Sequence, residues 1–216
     1  MNDHSALVLL SGGQDSTTCL AWALSRFSEV HAVAFDYGQR HAVELESAQA
    51  VASEAGVELD IIPVHGLGGS ALTDHAAEVK ADGGHLDLPT TFVPGRNAVF
   101  LSIAAGLAVQ RGAAHLVTGI CQTDYSGYPD CRDDFRAAME GALSLAVGTP
   151  LTIHAPLMRL TKAETVHLAV SLDALGLLGK SHTCYQGARP PCRECPACAL
   201  RERGFSEAGV VDPLLA

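Results

Sequence analysis

The apolar residues of the chain predict short buried strands alternating with helices. Continuous apolar runs, rather than alternating ones, are typical of strands buried on both faces of a parallel sheet. Between these runs, apolar residues recur at helical spacing, as in Leu45, Ala48, Val51 and Ala52. Strands are predicted at 6–10, 30–35, 57–63, 114–120 and 151–154. This order predicts an α/β fold with an open, Rossmann-like parallel sheet of about five strands and helices on both faces.

Capping residues and breakers place the helices between these strands. Asp15 or Ser16 is a suitable N-cap for the first helix. Thr161 and Glu164 have the spacing of a capping box and predict a helix that continues to about residue 172. The glycine-rich stretch 64–90 is expected to be an irregular connection, of the kind that often forms a lid or binding loop. Further helices are predicted at 45–55, 98–110 and 133–146, with a short one near 71–77.

Composition and charge narrow the possible partners. The chain has 216 residues, of which 48% are hydrophobic and 18% charged, and this predicts a single domain over 1–216. The longest apolar run, near 98–109, is too short to span a bilayer, and no positively charged signal region opens the sequence. We therefore expect a cytoplasmic protein without a membrane partner. A formal net charge of −10 argues against binding of long nucleic acid through many phosphates and favours small-molecule substrates.

Two glycines join the first strand to the first helix, within the sequence LVLLSGGQDSTT at 7–18. The free amides and the dipole at the start of a helix make such a turn an anion site, and phosphate is the expected occupant. The stretch lacks the lysine of a G-x-x-x-x-G-K-[ST] loop and the G-x-G-x-x-G dinucleotide fingerprint. Taken alone, it could also be an ordinary strand-to-helix turn.

Four of the seven cysteines lie close together near the C-terminal end, with the spacing C-x₇-C-x₂-C-x₂-C. Four thiolates so close in sequence can surround one tetrahedral ion, which favours a structural zinc site in a cysteine segment, 180–205. An iron–sulfur cluster is the competing interpretation. Cys19, Cys121 and Cys131 are expected to be packing residues. The predicted ligands are Cys184, Cys192, Cys195 and Cys198.

The string SGGQDST at 11–17 resembles the PP-loop of the ATP pyrophosphatase superfamily, whose members split ATP between its α and β phosphates. With the other motifs, the whole chain closely resembles the 7-cyano-7-deazaguanine synthase family of the queuosine pathway. Arg193 departs from the family pattern, which commonly has glycine between the second and third cysteines. The matching segments are 11–18, 36–41, 93–97, 124–132, 160–164 and the cysteine segment.

This resemblance implies a fold of the adenine nucleotide α-hydrolase type and an ATP-dependent carbon–nitrogen ligase that releases AMP and pyrophosphate. Members of the family convert 7-carboxy-7-deazaguanine and ammonia to the nitrile through an amide, with two adenylation steps and two ATP per turnover. ATP, Mg²⁺ and one structural Zn²⁺ per chain are the implied cofactors. A homodimer is the family expectation.

The resemblance also implies roles for individual residues. Ser11, Asp15 and Lys162 are the expected catalytic residues, with Lys162 and Arg96 neutralising phosphate charge unless they are merely solvated surface cations. Asp130 could bind substrate or only cap the following helix. The implied nucleotide-binding residues are Val8, Leu9, Leu10, Ser11, Gly12, Gly13, Gln14, Asp15, Ser16, Thr17 and Thr18. The implied substrate-binding residues are Arg96, Asp124, Tyr125, Ser126, Tyr128 and Asp130.

Two alternatives stay open at this point. One is another PP-loop enzyme, either an amidating ligase or a tRNA-modifying enzyme. The other is a zinc-ribbon tail that binds nucleic acid. The second draws on four local arginines, which are Arg189, Arg193, Arg201 and Arg203.

Overall fold

A computed structural model describes residues 1–39, 43–74, 76–78, 80, 82, 85, 88–123 and 127–215. Its strands are β1 Asn2–Leu9, β2 Glu29–Asp36, β3 Leu59–Pro63, β4 Ala113–Val117 and β5 Thr152–His154. They form one five-stranded sheet in the order β3-β2-β1-β4-β5, and every neighbouring pair is parallel. The predicted parallel sheet of five strands is confirmed.

Helices follow the strands in the predicted alternation, and two more that were not predicted lie near the C-terminal end. The capping box is present: the Glu164 amide donates to Thr161 Oγ1 at 3.2 Å, and Glu164 Oε2 accepts from the Thr161 amide at 2.8 Å. Among the described helices, none is both long and apolar enough to cross a membrane. The helices are α1 Gln14–Leu24, α2 Val43–Glu54, α3 Arg96–Gln110, α4 Asp133–Val147, α5 Lys162–Ser171, α6 Leu175–Leu178 and α7 Pro196–Ala208.

The predicted N-cap of α1 is wrong. Gly13 is the N-cap, and no side chain caps the helix there. The carbonyl of Gly13 accepts from the Thr17 amide at 3.0 Å and from Ser16 Oγ at 3.1 Å, so the helix begins before Asp15 and Ser16. Both side chains are therefore available for contacts other than capping.

The short helix predicted near 71–77 is also wrong for the described part of that stretch, which forms turns. The local bonds go elsewhere: the Ala71 amide donates to the Thr90 carbonyl at 2.8 Å, and Ser70 Oγ donates to the same carbonyl at 3.1 Å. The stretch is thus tied across to residue 90 instead of closing helical turns.

Two apolar cores cover the two faces of the sheet. Val8 of β1 packs with residues of α1 and α2, whereas Leu7 packs with residues of α3 and α4, and both side chains are fully buried. The helices after β1 and β4 consequently leave for opposite faces. In such sheets, ligands bind outside the carboxyl ends of the strands at this point of reversal, which here lies between β1 and β4.

Candidate active site

The turn between β1 and α1, which we call the phosphate loop (residues 10–16), sits at this reversal point. Gly12 has φ of +84°, a conformation that side chains other than glycine rarely adopt. A Cβ at Gly12 would lie 2.4 Å from the Glu44 carbonyl oxygen and 2.6 Å from the Ala48 amide nitrogen. The backbone of α2 thus closes the back of the loop, and only glycine fits between them.

Hydroxyl groups of the loop hold its shape. Ser16 Oγ lies 3.0 Å from Ser11 Oγ and accepts from the Ser11 amide at 3.2 Å. Thr17 Oγ1 donates to the Gly13 carbonyl at 2.8 Å. The first amides of a helix have no partner within the helix, so those of Gln14 to Ser16 form an anion site at the start of α1.

Gly119, which follows β4, closes the loop from the other side. A Cβ at Gly119 would lie 3.1 Å from the Ser16 amide nitrogen and 3.4 Å from Asp15 Cβ. Such contacts are tighter than ordinary side-chain packing allows. A side chain at residue 119 would therefore crowd the start of α1.

Lys162, the first residue of α5, reaches into this region. Its Nζ donates to Asp15 Oδ2 at 2.6 Å, and the side chains of Lys162 and Asp15 are only 12% and 25% exposed. The interpretation of Lys162 as a solvated surface cation is wrong. Two buried atoms of the loop, Asp15 Oδ1 and Gln14 Nε2, have no hydrogen-bond partner among the described residues. Buried polar groups are normally paired, so both atoms are suited to contact a ligand in the loop.

Arg96 begins α3 on the opposite side of the site. Its Nη1 donates to the hydroxyl of Tyr37 at 3.5 Å, and its guanidinium lies 6.0 Å from the centre of the Tyr37 ring. Burial raises the pKa of Tyr37, and it likewise raises the pKa of Glu44, although the charge of Arg96 opposes both shifts. Glu44 and Tyr37 were absent from the predicted site. Tyr37 follows β2 directly, and that position at a strand's carboxyl end was the signal available in the sequence.

Asp130 is buried and fixes the loop before α4 to the start of α3. Its Oδ2 accepts from the Asn97 amide at 3.1 Å, and Asn97 Nδ2 donates to the Asp130 carbonyl at 3.0 Å. The N-cap of α4 is Arg132, so the interpretation of Asp130 as the cap of the following helix is wrong. The hydroxyl of Tyr128 pairs with Thr91 Oγ1 at 2.5 Å, which ties the same loop to the segment before α3.

The four predicted cysteine ligands come together. Their Sγ atoms all lie within 4.8 Å of one another, in a set that could hold one metal ion. Burial raises the pKa of the Cys195 and Cys198 thiols. Although burial alone would also raise the pKa of Cys192, amide donors from Cys195 and Glu194 lower it to about 7. Arg193 has φ of +62°, so the position where glycine was expected does require a left-handed backbone.

The arginines of the cysteine segment are engaged with carboxylates. Arg201 is buried and donates to both carboxylate oxygens of Asp212, at 2.7 and 2.8 Å. The other three also lie within 4.0 Å of an acidic side chain, in the pairs Arg189–Glu46, Arg193–Glu202 and Arg203–Glu207. Arg201 is therefore not accessible to a nucleic acid, whereas the other three arginine side chains are 52–61% exposed.

Comparison with known families identifies the chain. The model of the family described as queuosine biosynthesis protein QueC matches residues 5–209, which include the phosphate loop and all four cysteines. The chain belongs to the QueC family. The 7-cyano-7-deazaguanine synthase of Laribacter hongkongensis is 57% identical over 97% of this chain and 93% of its own length. That of Chromobacterium violaceum is 56% identical over 99% of this chain and 94% of its own.

Among solved structures, the U34-tRNA thiolase NcsA from Methanococcus maripaludis, with its 4Fe-4S cluster, aligns with a TM-score of 0.44 and 18% identity. The alignment covers 96% of this chain and 66% of that chain.

In this QueC family member, the predicted site residues that the structure describes lie at or after the carboxyl ends of the strands. Val8 and Leu10 are buried at the end of β1, directly before the glycine turn. The remaining cysteines are buried or half-buried, and Cys19 Sγ contacts the Thr118 carbonyl at 3.5 Å, as expected of a packing residue. Asp124, Tyr125 and Ser126 lie outside the described residues, as do residues 40 and 41 of the matching segment 36–41.

Proposed function

We propose that this protein converts 7-carboxy-7-deazaguanine and ammonia to 7-cyano-7-deazaguanine, using two ATP and releasing two AMP and two pyrophosphate. One observation carries the proposal. The Lys162–Asp15 pair stands beside the free amides at the start of α1, in a member of the QueC family. A positive charge and aligned amides at one place stabilise the charge that grows on a departing pyrophosphate.

Activation of the substrate explains why such a site is needed. A carboxylate is a poor electrophile, and its oxygen leaves only after it has been adenylated. The carboxylate oxygen attacks the α-phosphorus of ATP, and the bond to the β-phosphate oxygen breaks as pyrophosphate leaves. Ammonia then attacks the carbonyl carbon and displaces AMP, which gives the amide. A second adenylation, on the amide oxygen, allows that oxygen to leave with AMP and the nitrile to form.

The residues of the loop, together with Lys162, have different roles in this reaction. Ser11 and the amides of the first turn of α1 hold the β- and γ-phosphates as they depart. Gln14 Nε2, buried without a partner, supplies a further donor to a phosphate oxygen. Lys162 neutralises charge on the same group, and its pairing with Asp15 holds its ammonium in place before ATP arrives.

The donor set at Asp15 fits Mg²⁺. Its Oδ1 is buried and without a partner, and a carboxylate oxygen is the ligand that this ion prefers. Bound there with ATP, Mg²⁺ would neutralise phosphate charge. Asp15 would hold it through Oδ1 while Oδ2 keeps the lysine.

The deazaguanine substrate is assigned to the space bounded by Arg96 and the loop before α4. The planar guanidinium of Arg96 suits a carboxylate, and it makes only one long hydrogen bond to Tyr37 among the described contacts. Tyrosine rings can stack on a heterocycle, and carboxylates accept from its amine and ring N–H groups. The substrate-binding residues proposed on this basis are Arg96, Tyr128 and Asp130, with Asp124, Tyr125 and Ser126 from the sequence.

The four cysteines fit zinc. Zn–S bonds of about 2.3 Å in a tetrahedron place sulfurs ~3.8 Å apart, and Cys192 Sγ already lies 3.9 Å from Cys198 Sγ. Four protein ligands leave no position for a water, so we assign the ion a structural role. A homodimer, expected from the family resemblance, and a cytoplasmic location remain predictions.

Turnover tests the proposal directly. Purified protein is supplied with 7-carboxy-7-deazaguanine, ammonia and ATP, and the heterocyclic products and the nucleotides are measured by mass spectrometry. We expect amide, then nitrile, with two AMP per nitrile. Release of ADP and phosphate in place of AMP would contradict the adenylation mechanism. In a parallel reaction supplied with tRNA and ATP, modification of the tRNA without any nitrile formed in the first reaction would favour the tRNA-modifying alternative.

A further inference from the structure

The cysteine segment touches the phosphate loop through its backbone. The His182 amide donates to the Gly12 carbonyl at 2.8 Å, and a Cβ at Gly13 would lie 3.6 Å from the His182 carbonyl oxygen. His182 is only 3% exposed, so this stretch packs closely against its surroundings. Residue 182 thus packs directly against Gly12 and Gly13 of the phosphate loop.

The same segment touches Lys162 through α7. A Cβ at Gly204 would lie 2.8 Å from Lys162 Cβ and 3.3 Å from its carbonyl carbon. Real Cβ atoms essentially never approach other atoms that closely, so α7 and the start of α5 pack without room for one methyl group. The position of the lysine that pairs with Asp15 therefore depends on where α7 lies.

The cysteines stand directly beside both contacts. Cys184 follows His182 by two residues, and its carbonyl lies 3.1 Å from His182 Nε2. Cys195 is the N-cap of α7, and Cys198 lies in the first turn of that helix. A rise of about 1.5 Å per residue puts Gly204 ~9 Å along the same helix from Cys198. The cysteine segment has two arms, the stretch 181–184 and α7. One ion held by all four cysteines would fix both of them.

The buried Arg201 joins the two arms independently of the cysteines. Arg201 of α7 donates through Nη1 to Ser181 Oγ at 2.7 Å, while its other nitrogens donate to Asp212. The arms therefore have a second fastening that does not need a metal. Loss of the ion should loosen the segment without unfolding the sheet.

We propose that the cysteine segment is a positioning element for the ATP site. Through His182 it sets the phosphate loop, and through Gly204 it sets Lys162, so that both halves of the Lys162–Asp15 pair are held by one metal-ordered unit. This inference rests on the proposed function for its kinetic consequence. Its binding and exchange consequences stand apart from the reaction that the enzyme catalyses.

The first experiment replaces Gly204 by alanine. Gly141→Ala is the matched control, because Gly141 lies inside α4 and a Cβ there meets nothing within 4 Å. We expect Gly204→Ala to keep its metal and its KM for ATP but to lose about tenfold or more in kcat, since displacements near 1 Å cost up to ~10²-fold. Equal kcat values for the two variants would overturn the proposal.

The second experiment removes the metal from the wild-type protein with a chelator. Hydrogen–deuterium exchange is followed in the phosphate loop and in β3 as a distant reference, and ATP binding is measured by calorimetry. We expect faster exchange at 11–16, unchanged exchange in β3, and affinity for ATP reduced by about 5- to 150-fold, the usual range for coupled sites. Adding the metal back should restore both.

Unchanged exchange and affinity after metal removal would overturn the coupling, and so would equal loss of protection in β3, which signifies general unfolding. The two proposals fail differently. If the wild-type protein binds ATP in a metal-dependent way but forms no nitrile, the proposed function fails and the coupling stands. If nitrile forms equally well with and without the metal, the coupling fails alone.

Discussion

Lys162 and Asp15 are 147 positions apart in the chain, and their side chains meet at 2.6 Å between Nζ and Oδ2. Partly buried ion pairs add little to stability, because desolvation offsets the attraction. This pair also leaves Asp15 Oδ1 buried without a partner, which a pair serving stability alone would avoid. The arrangement is better explained as a charge site prepared for ATP.

Removing either partner should therefore affect chemistry more than folding. We expect Asp15→Asn and Lys162→Met each to reduce AMP release by about 100-fold or more, the scale of one lost transition-state contact. When two residues act as a unit, the activity losses of their single variants do not add. The double variant should therefore be no less active than the less active of the two single variants. Single-turnover AMP release measures this, with Lys180→Met on an exposed lysine as the control. Fully additive losses would show that the two residues act separately.

A substitution in the cysteine cluster should affect metal binding first. Cys195→Ser should lose the metal and lower solubility, because the remaining thiolates cannot complete a tetrahedral site. Cys131→Ser, outside the cluster, should keep the metal. Elemental analysis of both purified variants and of the wild-type protein checks this. Iron with visible absorbance, in place of zinc, would refute the zinc assignment while leaving the ligand set intact.

Arg193 carries backbone strain that glycine would relieve. It is held at φ of +62°, where a side chain costs on the order of 1 kcal/mol. Its ion pair with Glu202 is exposed, so Arg193→Ala serves as a control that loses the pair and keeps the strain. We expect the glycine variant to exceed the alanine variant by about 1 kcal/mol in free energy of unfolding, measured by urea titration with metal bound. An alanine variant as stable as the glycine one would argue against strain.

We expect His154, which packs against α1, to make stability depend on pH. His154 Nε2 lies 3.1 Å from His115 Nδ1, and burial, followed by the charge of His115, lowers the pKa of His154. The folded state then binds fewer protons than the unfolded state. The contribution of His154 to the free energy of unfolding is therefore complete above about pH 6.5, the ordinary pKa of histidine. It is lost as the pH falls from there through the lower pKa of the folded state.

Urea titrations at several pH values between 7.5 and 5 test this. We expect the midpoint to fall with pH in the wild-type protein and to fall less in His154→Gln. The exposed His4 provides the control, and His4→Gln should retain the wild-type slope. A His154→Gln profile as steep as that of the wild type would assign the pH dependence to other groups.

Much of the fold could be read from local patterns. Strands buried on both faces are continuously apolar, and Leu7 and Val8, neighbours in β1, indeed bury into opposite cores. The phosphate loop and the cysteine cluster were predictable because their chemistry is contained in short stretches of sequence. The capping box of Thr161 and Glu164 is local in the same way.

Contacts between distant residues could not be predicted. Arg201 belonged to a group of arginines that suggested nucleic acid, yet it is neutralised inside the protein by Asp212. Asp130 precedes α4, but its carboxylate satisfies an amide at the start of α3. In both cases the residue type correctly predicted the kind of contact, since an arginine pairs with an anion and an aspartate accepts from amides at the start of a helix. The identity of the partner depends on tertiary packing, which periodicity and capping rules do not contain.

The bond from His182 to Gly12 has a consequence for how the protein is made. All five strands have been synthesised once the ribosome passes residue 154, and the sheet depends on no later residue for its own pairing. The Gly12 carbonyl, by contrast, waits for an amide at residue 182. Contacts of such long sequence separation form slowly. The scaffold can therefore mature on the nascent chain well before the loop is competent to hold a nucleotide.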